Sequence, residues 1–358
     1  KNSILMLNNL LFKKLNMSLK NLSVKIKIPK QITEKFKNKK LKKIYKKFEQ
    51  SLKINDNFAV AVSGGPDSLA MAFLSKIYSI KKNLKAKFYI VDHKLRNEST
   101  NEANQVKKVL KKYDISCKIL TWRGKKANSN IQSLARKKRY ELLFHECKKN
   151  KINNILLGHH YDDLLENFFI RILRGSGLKG LVSLDEKTKI GNKNILRPLL
   201  YSTKEDLLFV SKLVFNFYVV DPTNFDEKFQ RIRIRKMIKF LENNGLDMKK
   251  FLKTIRNLKT SNSIVDFYVT RNLKVNSYFN FKKDKIILSS EFFLNPSEVV
   301  FRSLSDIIKI VGKKHYSVRG RKLDYLIKKV QKSSNLKVTL GGCIIEKVNQ
   351  TVIISKEH

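Results

Sequence analysis

Ser63-Gly64-Gly65-Pro66-Asp67-Ser68 is the segment whose residue types could most directly do chemistry. Adjacent glycines let a backbone come close to a ligand and take dihedrals closed to other residues. Pro66 suits a first helical turn, where its missing N–H costs nothing. Asp67 and Ser68 can cap the N–H groups left over there. Together they describe a ring of donors at a helix N-terminus, a place for phosphate oxygens. The Lys-Ser/Thr ending of a Walker A loop is absent, so this is a different phosphate loop. The elements needed to hold it can be read on either side. Residues 58–62 form a continuous apolar run, which fits a strand buried on both faces, and an apolar helical repeat covers 69–80.

Two more polar clusters stand at the ends of apolar runs. Residues 86–91 read as a strand ending in Asp92-His93-Lys94-Leu95-Arg96, and 155–157 as a strand ending in Gly158-His159-His160-Tyr161-Asp162-Asp163. Helical patterns over 98–113 and 130–150 and a further strand over 115–122 lie between them. Strands alternating with helices predict a parallel, doubly wound α/β sheet, whose ligands bind beyond the C-terminal strand ends. All three clusters fall there. His159 and His160 are open to two readings, as ordinary loop histidines or, with Asp162, Asp163 and Glu166, as a metal-like group. Asp163 and Glu166 are three apart and share one helix face. Carboxylates so placed could hold Mg²⁺ riding on ATP phosphates, or an amino group. An arginine such as Arg136 or Arg139 facing the strand ends would stabilise charge on a phosphorus undergoing substitution.

The loop resembles the pyrophosphate loop of ATP pyrophosphatases that release AMP and pyrophosphate. Within that superfamily the chain most resembles the tRNA(Ile)-lysidine synthetases, well over about residues 50–240 and loosely beyond. Asp92-His93, Arg96, Arg136, Arg139-Tyr140, the Gly158-His159-His160 segment with Asp162-Asp163, and Arg197-Pro198-Leu199-Leu200 carry the likeness. The family has glutamine where Leu164 stands and asparagine where Ile232 stands. The resemblance implies an adenine-nucleotide α-hydrolase-like sheet, a helical linker and a small α+β C-terminal domain. It also implies ligation of lysine to C2 of the wobble cytidine of a tRNA(Ile) with a CAU anticodon, through an adenylated cytidine, with ATP giving AMP and pyrophosphate. ATP and Mg²⁺ would then meet Ser63, Gly64, Gly65, Pro66, Asp67, Ser68, Asp92 and His93. L-lysine would meet Asp163 and Glu166. Asp67, His93, Arg136, Arg139, His159 and Asp163 would be catalytic, with His93 and His159 the candidate bases for the lysine amine.

With 76 Lys and Arg against 30 Asp and Glu, the formal net charge is +46, which implies a polyanionic partner. Much of the excess is lysine, a bias that an AT-rich genome also produces. Arg171, Arg174 and Lys179 flank a glycine-rich elbow, and Arg231, Arg233 and Arg235 follow on a later helix. With Arg197 they are the expected tRNA contacts. Gly175, Gly177 and Gly180 match G-x-G-x-x-G but follow a helix, so a dinucleotide site is rejected. Cys117, Cys147 and Cys343 are isolated. That disfavours a disulfide framework, zinc site or iron–sulfur cluster, and with them a thiolase-type relative; a degenerate RNA-binding protein is the other alternative.

No apolar run approaches a membrane span, so a cytoplasmic enzyme is expected. Residues 1–33 carry lysines and no acid, which reads as a disordered or translated leader before Met17, or as an organellar presequence. The expected organisation is a basic extension over 1–50, with 35–48 as a solvated lysine-rich helix. A catalytic domain over 51–220 and a helical tRNA-contacting linker over 221–275 follow. A tRNA-binding domain of short strands and one helix closes the chain over 276–358. The sequence leaves the oligomeric state open, a homodimer among the options.

Overall fold

A computed structural model describes residues 29–96, 98–124, 131–220, 230–280, 285–314 and 318–357. The leader before Met17 lies outside the described residues, as does Asp221-Pro222-Thr223-Asn224, whose residue types signal a turn or helix start. The chain divides into two compact units, one reaching Ser176 and resuming over Ser183–Asn244, the other formed by Gly177–Val182 and Gly245–His358.

The first unit begins with α1 (Lys30–Lys35) and α2 (Lys39–Ser51). The reading of this stretch as a solvated face is corrected by α2. Leu41, Ile44, Tyr45 and Phe48 recur at helical spacing and are buried in the main core, so the lysines occupy only the outer stripe. Asn38 caps the helix, its Oδ1 accepting from Leu41 N at 3.1 Å.

The sheet and its crossovers follow: β1 (Phe58–Val62), α3 (Pro66–Lys81), β2 (Ala86–Asp92), α4 (Ser99–Lys111), β3 (Cys117–Thr121), α5 (Ile131–Lys149) and β4 (Asn154–Leu156). Next come α6 (Tyr161–Leu173), α7 (Leu178–Leu181, grouped with the second unit), β5 (Lys187–Ile190), β6 (Lys193–Leu196), α8 (Lys204–Phe215) and α9 (Gln230–Asn243). The strand order is β3-β2-β1-β4-β6-β5. The first five strands run parallel and only β5 is antiparallel, paired to β6. The doubly wound α/β reading therefore holds, with an added edge strand. Phe58, Val60 and Val62 pack into one core and Ala59 into another on the opposite face of the sheet, which is why β1 is apolar without alternation. The chain leaves β1 toward β2 on one side and reaches β4 on the other. The β1/β4 boundary is thus the switch point where such sheets open a crevice.

The second unit is built on α10 (Met248–Asn276), 29 residues long and capped by Asp247. Then come β7 (Ser277–Asn280), β8 (Lys285–Leu288), a 3₁₀ turn, α11 (Ser297–Val311), α12 (Gly320–Lys332), β9 (Leu336–Leu340), β10 (Cys343–Val348) and β11 (Thr351–Lys356). The antiparallel order is β7-β8-β11-β10-β9. Two α-helices, not one, cover this sheet. Val299, Val300, Leu304, Ile307, Ile308 and Val311 form a helical stripe on α11, but its β-branched content resembles strand. Gly341 and Gly342 both take positive φ in the β9–β10 hairpin, as a tight primed turn demands.

Candidate active site

Leaving β1, the backbone turns through Gly64 at φ +88°. A Cβ there would lie 2.7 Å from Val106 Cγ2 and 3.1 Å from Val219 Cγ2, so only glycine fits. Val219 N donates to Gly64 O at 3.0 Å. Ser63 N donates to Ser68 Oγ at 3.1 Å, and that hydroxyl donates to Gly65 O at 2.9 Å. These bonds close the loop over the first turn of α3, where Pro66 opens the helix and Asp67 follows. The segment leaving β4 comes against it: a Cβ on Gly158 would stand 3.4 Å from the Asp67 carbonyl oxygen. A cavity of about 150 Å³ opens there, lined among others by Ser63, Asp67, Arg136, Arg139, Gly158 and His159.

Asp67 brings an unsatisfied oxygen to the cavity. Its Oδ1 is buried with no protein partner, and its Oδ2 lies 3.6 Å from His160 Nε2. Burial, followed by the Asp163 charge, raises its pKa against the pull of His160 and Lys204. His160 is the N-cap of α6. Its Nδ1 accepts from Asp162 N at 3.3 Å, while His160 N donates to Asp163 Oδ2 at 3.0 Å. His160 and Asp163 form a capping box. Among the described residues no group of three His, Cys, Asp or Glu is arranged to hold a metal.

His159 and His93 are both neutral in this setting. Burial pushes His159 down to about 4; Arg197, Arg136 and Arg231 push the same way and Asp163 opposes them. Burial also brings His93 to about 4, aided by Arg139 and opposed by Asp92. Both His93 ring nitrogens are buried with no partner, and the ring meets Trp122 edge-on at 6.5 Å.

One model, described as a PP-loop domain, matches residues 33–241. A tRNA(Ile)-lysidine synthase from Wolbachia pipientis is 34% identical over 85% of this chain and 71% of its own length. One from Orientia tsutsugamushi is 33% identical over 85% and 70%, and one from Rickettsia bellii 29% over 88% and 74%. The chain belongs to the tRNA(Ile)-lysidine synthase family, a family of ATP-dependent ligases. Among solved structures, the U34-tRNA thiolase NcsA from Methanococcus maripaludis shares the fold with a TM-score of 0.53 and 21% identity, covering 62% of this chain and 79% of that one.

Against the residue assignments that the lysidine synthase family implies, several side chains are already occupied within the protein. Asp92 accepts from Lys94 N, Ser99 Oγ and Thr100 Oγ1 at 3.0, 2.8 and 2.7 Å. Burial alone would raise its pKa, but these donors hold it down. These three bonds tie it to the turn after β2 and the first turn of α4. Arg197, expected at tRNA phosphate, is 5% exposed and spends its donors on His159, Asp185 O and Thr188. Arg235, also expected at tRNA, is half-buried and paired with Glu166 Oε1. Glu166 keeps a second oxygen, Oε2, buried without a partner; burial raises its pKa and Arg235 counters that.

Arg231 and Arg233 are exposed on α9, while Ile232 and Ile234 anchor that helix in the core. Ile232, the departure from the family asparagine, is thus a packing residue, and so is the buried Leu164. Arg174 is exposed at the end of α6 with Nη2 3.4 Å from Gln230 Oε1, and Arg171 is half-buried one turn earlier. Lys179 belongs to the second unit and faces Asp306 at 3.9 Å. Sequence reasoning missed Val106, Val219 and Lys204, which shape the loop or its charge from distant segments. No local signal marks them.

Proposed function

We propose that this chain activates the wobble cytidine of a CAU-anticodon tRNA(Ile) with ATP and joins L-lysine to it. The observation that carries the reading is the meeting of the loop after β1 with the segment after β4 at the switch point, where Asp67 Oδ1 is buried without a partner. The loop amides at the start of α3 suit the pyrophosphate. Arg136 and Arg139, on the cavity wall, suit the charge that develops as the C2 carbonyl oxygen of the base attacks the α-phosphorus. A bond forms from that oxygen to phosphorus, and pyrophosphate leaves. The orphan Asp67 oxygen fits a hard cation, so Mg²⁺ would enter bound to ATP and be held there.

In the second step the lysine ε-amine attacks C2 and AMP departs with the oxygen. Asp163 and the free Oε2 of Glu166 suit the lysine ammonium on the α6 face. Losing that proton at pH 7 costs about 4–5 kcal/mol from a pKa near 10.4, which desolvation lowers. A base in an anticodon loop can be splayed out and read directly. Arg171, Arg174, Arg231, Arg233 and Lys179, with the basic Arg319–Lys322 stretch, supply phosphate contacts for the tRNA body. The first unit is the catalytic domain and the second a tRNA-binding domain, working in the cytoplasm.

A thiolase-type reading is served less well, because Cys117, Cys147 and Cys343 are all buried. Burial raises their pKa values to about 12, 11 and 11, far from a reactive thiolate. The test is incubation with ATP, labelled lysine and total tRNA, followed by nucleoside digestion. Label in a modified cytidine that requires ATP and Asp67 supports the proposal. AMP release with no label on RNA would discard the substrate.

A further inference from the structure

Arg197 stands at the end of β6, next to β4 in the sheet, and reaches across to the segment that follows β4. Its Nε lies 3.1 Å from His159 Nδ1, and its Nη1 is 2.7 Å from Asp185 O and 2.8 Å from Thr188 Oγ1. At 5% exposure the guanidinium is held in a fixed orientation by three acceptors. A guanidinium N–H can only donate. His159 Nδ1 must therefore carry the lone pair, and the single ring proton of the neutral imidazole sits on Nε2. His159 lines the cavity beside Ser63, Asp67 and Arg136.

We infer that Arg197 is a positioning residue that locks His159 as its Nε2–H tautomer, making His159 a hydrogen-bond donor to negative oxygen in the cavity and not the base that takes the lysine proton. The role refines the proposed reaction and rests on it: the acceptor is an oxygen of the α-phosphoryl group or of departing AMP. The surroundings agree. Arg136, Arg197 and Arg231 all oppose a second proton on the ring and only Asp163 favours one, while burial holds the neutral form. With Nδ1 occupied by a cation and Nε2 already protonated, no lone pair is left to receive a proton from the amine. That leaves His93, whose two nitrogens have no partner, as the imidazole with a free lone pair.

Two measurements test this on the full chain. The first is ¹⁵N-histidine NMR, with the His159 signals among the six histidines identified by their loss in His159→Gln. The expected result is one Nε2–H tautomer that does not titrate between about pH 6 and 8, becoming a tautomer mixture in Arg197→Met. An Nδ1–H form, or a ring titrating near 6.5 in the wild-type chain, overturns the inference. This readout needs no tRNA, so it stands apart from any failure to form lysidine, which would instead overturn the proposed function.

The second measurement is kinetic. Glutamine keeps an N–H near the Nε2 position but cannot act as an imidazole base. His159→Ala should lower kcat about 100-fold with little change in KM for lysine, the effect of removing one donor to developing charge. His159→Gln should recover at least tenfold of that loss. A glutamine variant as slow as the alanine variant would restore the base assignment.

Discussion

Replacing Gly64 with alanine tests whether the loop conformation itself, and not only its polar groups, makes the phosphate site. Two costs can be worked from the geometry. The φ of +88° places a side chain in the left-handed region at about 1–2 kcal/mol. The new methyl would also lie 2.7 Å from Val106 Cγ2 and 3.1 Å from Val219 Cγ2, an overpacking that costs about 1–3 kcal/mol. Gly64→Ala should therefore destabilise by about 2–5 kcal/mol and weaken ATP binding as the loop amides shift.

Gly65 is the internal control. Its φ is −67° and a Cβ would meet only Ser63 Oγ, at 4.0 Å, so Gly65→Ala should stay within about 0.5 kcal/mol. Trp122, the single tryptophan, lies in the first unit, so its fluorescence in urea follows that unit. Val106→Ala supplies the other corner of a cycle: it opens room for the new methyl, and the pair should show a favourable coupling of about 1 kcal/mol or more. The φ strain should remain in the double variant. Equal costs for the two glycine substitutions, or no coupling with Val106, would refute the steric account.

Asp67→Asn should abolish ATP–pyrophosphate exchange while leaving the first unit at least as stable at pH 7. The raised Asp67 pKa means the folded carboxylate costs stability above its unfolded value near 3.9, and the amide avoids that; a large loss in the urea melt would contradict it. Arg235→Met should strand the buried Glu166 carboxylate, raising KM for lysine and costing about 2 kcal/mol. That figure sits below the range for fully buried pairs because the Arg235 side chain is 40% exposed. His93 is neutral when folded, with a pKa near 4 against 6.5 unfolded. Its contribution is whole above 6.5 and fades as pH falls toward 4, so His93→Gln should flatten the pH dependence of stability by up to about 1.4 kcal/mol per pH unit there. Affinity for tRNA should fall linearly on a log–log plot against salt, with a slope near −0.7 to −0.9 per phosphate contact; a flat response would make the +46 charge compositional.

The loop and its strand were legible because their signals are local. Residues 58–62 are apolar on both faces and Ser63 to Ser68 break the run with glycines, a proline and caps, so strand, turn and helix start follow from adjacent residues. Alternating runs then sufficed for a parallel sheet with its polar clusters at the strand ends. The lysines of 39–51 hid a buried stripe, because composition averages over both faces of a helix while burial depends on one. The C-terminal domain was expected to hold one helix and holds both α11 and α12; α11 forms despite its β-branched residues because tertiary packing overrides weak propensity.

What only the tertiary structure decided is which polar side chains are already spent. Arg197 and His159 are 38 residues apart, and Arg235 and Glu166 are 69 apart. No local pattern says that one arginine fixes an imidazole and another neutralises a carboxylate. Sequence named the residue types fit for phosphate, amine and RNA; packing across the switch point determined which keep a free lone pair or proton, because a buried donor must find its acceptor wherever the fold brings one.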